Sequence, residues 1–301
     1  MTRVLDLFGS ALADLGGDDL VAAIRAAEGR TVMAEVVAGA PPLLAGTSNA
    51  ELVSAFGADL VCLNLLDPAE RGRTPVQGLE ALDAPPTSLA ALAGLLGRPV
   101  GLNLEPDTEE VPPPFRATEA VAGAAHKGGA AFVMITANPG RNATIADLAT
   151  AVEVVRSAAP GLACFAGKMH HAGRAEALTA DVSQRLAEAG ANGVLVPLPG
   201  TVPGMSETAA AGMVAAAHSL GAIAIGTIGT SQEGADEDTM RALALAGKRI
   251  GVDVHHIGDA GFTGVARPEG IYAYSVAIRG IRHTWNRMAR GVRASWTGKE
   301  Q

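Results

Sequence analysis

A chain of 301 residues with 48% apolar and 18% charged side chains can bury a large core, and its formal charge of −8 argues against a nucleic-acid surface, whose footprint is a basic domain. Aromatic residues are only 3%, so the core must be built from small and branched side chains. The first residues lack a signal-peptide pattern and no uninterrupted apolar run is long enough to span a bilayer, so a cytoplasmic protein without membrane contact is expected.

In chain order, a helix is expected over Gly17–Ala27, followed by eight short apolar runs. These are Thr31–Val37, Leu60–Leu66, Pro99–Glu105, Ala131–Asn138, Leu162–His170, Gly193–Pro199, Ala222–Ile228 and Val252–Ile257. Most are separated by Ala- and Leu-rich segments with helical spacing, which gives a repeat of about 30 residues, the size of a βα unit. Helix starts are marked by Ser48-x-x-Glu51 and Thr230-x-x-Glu233, which fit the capping box, and by Pro268, which suits a first helical turn. Cys62 and Cys164 each sit in an apolar run and read as buried reduced thiols.

Eight such units predict an α/β protein of one domain, a (β/α)8 TIM barrel over 1–301, with an N-terminal helical extension over 1–30 and a closing C-terminal helix over 267–301. A doubly wound open sheet would show a GxGxxG turn after the first strand, and Glu35-Val36-Val37-Ala38-Gly39-Ala40 lacks it. The run Arg279, Arg282, His283, Arg287, Arg290 and Arg293 on the last helix reads as a solvated or subunit-contacting face. Barrels of this kind often associate, so a homo-oligomer is kept as an expectation.

Chemistry in such barrels sits at the C-terminal ends of the strands, where strand alternation decides which side chains face the axis. If Phe165 and Met169 pack against helices, Lys168 and His170 share the inward side with Ala166. The same rule turns Asn64, Asn103, Glu105, Thr136 and Asn138 inward and leaves Glu35 ending the first strand. With Val252 and Val254 facing helices, His255 points in, although His256 could exchange roles with it; His171 and His256 otherwise read as supporting or helix-facing. Each member alone has a bland reading, such as an ion bridge that closes the barrel top. Their convergence from different strands is what favours a site.

Two glycine-rich loops follow the seventh and eighth strands. Gly229, Thr230 and Ser231 in the first, with Gly258, Gly261 and Thr263 in the second, could offer amide and hydroxyl donors to a phosphate. Tight turns and helix caps would explain the same residues. Asp259 argues against a bare phosphate there and suits an acid/base or a metal ligand.

The strings Glu28-Gly29-Arg30-Thr31, Gly101-Leu102-Asn103-Leu104-Glu105-Pro106, Ala166-Gly167-Lys168-Met169-His170, Gly229-Thr230-Ser231-Gln232-Glu233-Gly234-Ala235-Asp236-Glu237-Asp238, His255-His256-Ile257-Gly258-Asp259-Ala260-Gly261 and Ala277-Ile278-Arg279-Gly280-Ile281-Arg282-His283-Thr284 carry a resemblance. They resemble an uncharacterised bacterial (β/α)8-barrel family often labelled phosphoenolpyruvate phosphonomutase-like, over nearly the whole chain. The resemblance implies the barrel fold. Phosphonomutases resemble one another in an Asp-x-Asp-x-Gly metal motif, and Asn103-Leu104-Glu105-Pro106 stands in its place, so no mutase residue is carried over.

The expected function is an enzyme acting on a small phosphorylated, sugar-like or carbonyl substrate by acid/base chemistry, as an isomerase, epimerase or carbon–carbon lyase. Lys168, His170, Glu35, His255 and Asp259 are its candidate catalytic residues, with Lys168 also a candidate Schiff-base lysine. The first alternative is a lyase or hydrolase using Mg²⁺, Mn²⁺ or Zn²⁺ held by ligands drawn from Glu35, Glu105, His170, His255 and Asp259. The second is a non-catalytic binding or assembly protein on a barrel scaffold.

Overall fold

Every apolar run becomes a strand in the computed structural model, which describes residues 2–70, 72–138, 141–170 and 176–291; His171 and Arg293 lie outside these. The strands are β1 Thr31–Val37, β2 Leu60–Asn64, β3 Val100–Leu104, β4 Phe132–Thr136, β5 Ala163–Gly167, β6 Gly193–Pro197, β7 Ile223–Ile228 and β8 Val254–Ile257. They close in sequence order into a parallel barrel, with β8 pairing β1. The outer helices are α1 Asn49–Ala55, α2 Leu89–Leu96, α3 Glu119–Lys127, α4 Ile145–Ala158, α5 Ala180–Glu188, α6 Glu207–Ser219, α7 Glu237–Ile250 and α8 Pro268–Gly291. This is a (β/α)8 TIM barrel.

Local chemistry sets the helix boundaries. Ser48 and Glu51 form the expected capping box at α1. The second expected box does not form: Ser231 adopts the left-handed region at φ 72°, Gln232–Gly234 is a single 3-10 turn, and α7 starts later behind Asp236, which accepts the Thr239 N–H at 2.8 Å. Gly280, with φ 72°, breaks α8.

Register shows which side chains face the axis, because partners across parallel strands share a face. Cys62 pairs Glu35 and Gly101, Gly101 pairs Phe132, Asn103 pairs Met134, and Thr136 pairs Gly167. Phe165 pairs Gly193, Ile225 pairs Val254, and His256 pairs both Thr227 and Met33. The interior cluster follows this list, with Met33, Leu60, Phe132, Met134, Phe165, Leu195, Ile225 and Val254 packed together. The alternate residues, among them Val32, Leu63, Leu102, Ile135, Cys164, Ala166 and Val196, join the helices in the outer core. Both cysteines are buried and free.

Two aromatic rings fill the barrel axis because glycine stands beside each. Phe132 and Phe165 lie 5.4 Å apart between ring centroids. A Cβ at Gly101 would fall 2.4 Å from the Phe132 ring, and one at Gly193 would fall 2.8 Å from Phe165. Gly101→Ala is therefore expected to cost about 1–3 kcal/mol through overpacking, measured by urea unfolding. A variant as stable as the native chain would show that the ring has room to move.

The N-terminal segment closes the bottom of the barrel. Val4, Leu5, Leu12, Leu20 and Ile24 belong to the interior cluster, and the Gly17 N–H donates to Ala131 O just before β4. At the same end, Asp59 is fully buried and its carboxylate accepts from Val32 N–H, Arg279 Nη1 and Arg287 Nε. Arg287 also donates to the carbonyls of Leu7 and Val4. The arginine run expected to be a solvated face is thus divided: Arg279 and Arg287 are buried structural ions, while Arg282 and Arg290 are exposed. No helix among the described residues is long and apolar enough to cross a membrane.

Candidate functional site

At the opposite end, the strand tips present polar side chains in place of the aromatic and aliphatic ones below them. On β1, β3 and β4 they form one chain of contacts. Thr136 Oγ1 donates to Asn103 Oδ1 at 2.8 Å, which fixes the amide so that Asn103 Nδ2 donates to Glu35 Oε1 at 2.6 Å. The second Glu35 oxygen lies 3.1 Å from His256 Nε2, an ion-pair distance without hydrogen-bond alignment. His256 Nδ1 is buried and makes no hydrogen bond. On the next strand Asn64 Nδ2 donates to Asp259 Oδ2 at 2.8 Å.

A third acid completes the group. Glu233 is fully buried, and no well-aligned hydrogen bond reaches either carboxylate oxygen; its own backbone N–H and that of Ser231 lie near enough to favour its charge only in part. It enters from the 3-10 turn after β7 and presses against the turn after β8, where a Cβ on Gly258 would lie 2.4 Å from its Oε1. Burial raises its pKa; the backbone N–H groups of Glu233 and Ser231 and the nearby His256 oppose the rise, and Glu35 adds to it. Asp259 is pushed up to about 7, first by burial and then by the Glu35 charge, with Asn64 and His256 working against the shift. An acid in that range exchanges protons readily near neutral pH, which is what a general acid or base requires.

The structure corrects three expectations about orientation. Strand β5 stops at Gly167 and turns Phe165 inward, so Lys168 has the opposite parity from the one read for it. Its Nζ pairs with Glu176 at 2.8 Å, and Glu176 in turn accepts the Ile145 N–H that opens α4. His170 lies half-buried in the same loop, two residues further on. On β8 it is Val254 that faces the axis, so His255 points outward to Tyr274 Oη at 2.9 Å and Gly29 O at 3.2 Å. Burial pushes the His255 pKa down to about 3, which makes it a neutral core histidine. His256 takes the inward place.

Glu105 and Asn138 form a separate group beside the mouth. Glu105 is buried, with its pKa raised by burial against opposing contributions from Arg141 and hydrogen bonds with Asn138. Arg141 Nε stands 3.6 Å from it. No hydrogen bond or ion pair among the described residues joins Glu105 to Glu35.

In the two glycine-rich loops part of the amide cup expected for phosphate is already occupied. The Gly258 N–H is used by Ile228 O, Gly261 packs against the Glu233 backbone, and Met169 lies against Gly229. Thr230 Oγ1 donates to Thr201 O, while Ser231 and Thr263 are exposed with positive φ. These loops enclose a carboxylate, and an anion would be repelled there. A cavity of about 780 Å³ lies to one side, between the 65–77 excursion and α2 and α3, and contains none of the mouth acids.

Residues 5–294 match the family described as Domain of unknown function (DUF7916). The chain belongs to that family. No curated protein matches it in sequence. Among solved structures, this DUF7916 barrel is similar to a Rubisco-like protein from Rhodopseudomonas palustris, at 16% identity and TM-score 0.50 over 88% of this chain and 70% of that one. It is also similar to Rhizobium etli pyruvate carboxylase with the allosteric activator acetyl coenzyme A, at 14% identity and TM-score 0.51 over 92% of this chain and 29% of that one. A weaker likeness, at 12% identity and TM-score 0.48, is to 2,3-dimethylmalate lyase, a member of the PEP mutase/isocitrate lyase superfamily, over 83% of this chain and 82% of that one. At these identities the likeness is one of fold.

Glu233 and His256 are the mouth residues that sequence reasoning undervalued. Glu233 was hidden by a cap pattern that a better cap, Asp236-x-x-Thr239, competes with three residues away from the box's last position. His256 was hidden by the expectation that valine faces helices.

Proposed function

We propose that the chain is an enzyme that moves protons on a small hydroxy- or carbonyl-bearing substrate at the barrel mouth, as an isomerase, epimerase or carbon–carbon lyase. The observation that carries this reading is the meeting of Glu35, His256, Asp259 and Glu233, supplied by β1, β8 and the turns after β7 and β8. In it, Asp259 is the group that exchanges the substrate proton, because its pKa lies near neutrality. His256 stands beside Glu35 at 3.1 Å as the second group of the pair. Asn103 and Thr136 hold Glu35 in place, and Asn64 orients Asp259.

Lys168, engaged by Glu176, is given no Schiff-base role in this reading. The donor set does not fit a metal as it stands: among the described residues no three His, Cys, Asp or Glu side chains are placed to hold one ion. No step is therefore routed through a metal.

The test is deuterium wash-in, followed by proton NMR in D₂O, next to the carbonyl of a panel of small hydroxyaldehydes, hydroxyketones and 2-oxo acids. Exchange is expected with the native chain and about 10²–10⁴-fold slower exchange with Glu35→Gln and with His256→Asn. Exchange that is unchanged in both folded variants, or absent across the panel, would remove the support for acid/base chemistry at this mouth.

A further inference from the structure

The mouth is one-sided in both hydrogen bonding and charge. Glu233 offers two buried acceptor oxygens that no well-aligned hydrogen bond reaches, with only the backbone N–H groups of Glu233 and Ser231 close by, and the buried His256 Nδ1 makes no hydrogen bond either. Asn103 and Asn64 each supply one donor, to Glu35 and to Asp259. Among the described residues the ion-pair neighbour of Glu35 is His256, no salt bridge joins a Lys or Arg to Glu35, Glu233 or Asp259, and Lys168 pairs with Glu176. Buried acceptors and buried charge are both costly unless matched. A ligand that brings N–H or O–H donors and positive charge would complete this site.

Three kinds of ligand can be compared on that basis. A phosphate brings negative charge and chiefly acceptor oxygens. A divalent ion brings charge but no donors, and among the described residues no group of three His, Cys, Asp or Glu side chains is placed to hold one, so it would have to complete its shell with water. A protonated amine brings both, with three N–H donors that reach acceptors about 2.7–2.9 Å away in separate directions. Acceptors spread around a mouth suit it better than they suit a metal.

We propose that the mouth recognises its substrate through a protonated amine held among Glu233, Asp259 and Glu35, so that the substrate class is an amino alcohol or amino sugar. The unpartnered Nδ1 of His256 is a further acceptor for it. This rests on the mouth being the substrate site, but not on which bond is changed. When the site is empty, protons on the raised acids take the place of the cation, so binding should release protons.

The experiment compares matched pairs by saturation-transfer NMR and calorimetry at neutral pH: 2-aminoethanol with ethylene glycol, serinol with glycerol, and glucosamine with glucose. At least one amine is expected to bind about 10-fold or more tightly than its hydroxyl partner, with proton release seen by calorimetry in two buffers. That preference should fall about 10-fold in Glu233→Gln, and Asp259→Asn carries the same test should the first variant not fold. Equal binding within every pair, no binding by any amine, a preference retained in the variants, or displacement of the amine by Mn²⁺ would overturn the proposal. Because the measurement reads binding without turnover, its failure leaves the acid/base reading to be judged by deuterium wash-in alone.

Discussion

Asp59→Asn is expected to remove about 3–5 kcal/mol of folding stability, a large part of the about 5–15 kcal/mol that a domain has. The loss arises at the bottom of the barrel, far along the strands from the mouth. One carboxylate there faces Arg279 at 2.5 Å and Arg287 at 2.6 Å, and Arg98 is buried beside them with its pKa lowered to about 9 by burial. Asparagine keeps the shape but leaves three buried guanidinium groups without a counter-charge. Burial alone would raise the Asp59 pKa, but Arg279, Arg287 and the Val32 N–H outweigh it and the net shift is downward. An acid whose folded pKa is depressed adds stability above its unfolded value of about 3.9, and that stability is lost as pH falls through the folded value. Urea unfolding of the native chain should therefore weaken below about pH 4, and Asp59→Asn should lack that acid limb. A variant within about 1 kcal/mol of the native chain would mean that the arginines relax into water instead.

The mouth acids are expected to act in the opposite sense. Asp259, raised to about 7, binds a proton in the folded state that the unfolded chain releases near its ordinary value. Its folded pKa is the higher one, so stability falls as pH rises from about 4 to about 7. Three pKa units correspond to about 4 kcal/mol at most, an upper limit for Asp259, and the raised Glu233 acts in the same direction. Asp259→Asn and Glu233→Gln should each raise stability at neutral and alkaline pH and flatten this limb while lowering the proposed activity. Together with Asp59, this places the stability maximum of the native chain in the mildly acidic range. A stability curve that rises between about pH 4 and pH 7 would contradict the raised values.

Much of this was legible in the sequence, for identifiable reasons. The barrel could be read because each βα repeat carries its own apolar run and turn signals, and all eight runs became strands in the expected order. Asn64, Asn103 and Thr136 could be placed at the axis because each is a polar residue at or near the C-terminal end of an otherwise apolar strand, and Glu35 is the one charged residue of its strand. Parity on β5 and β8 was misjudged because it was anchored on a bulky residue assumed to face helices. Phe165 faces the axis since Gly193 beside it leaves the space, and Val254 faces it since Ile225 is its partner. Periodicity could not show either, because both depend on a neighbour from another strand. Glu233 was missed for a different reason: a short turn carries no period, and only Gly258 across the mouth shows where its carboxylate goes.

The rings of Phe132 and Phe165, packed with Met33, Leu195 and Ile225, leave no continuous passage down the barrel axis. The mouth is in effect a blind cup with a single doorway. For a substrate bound at the mouth as proposed, entry and exit share one route, so product departure and the next arrival would compete for the same opening. A bulky group fixed at the rim would slow both together, whereas a change at the floor of the barrel would slow neither.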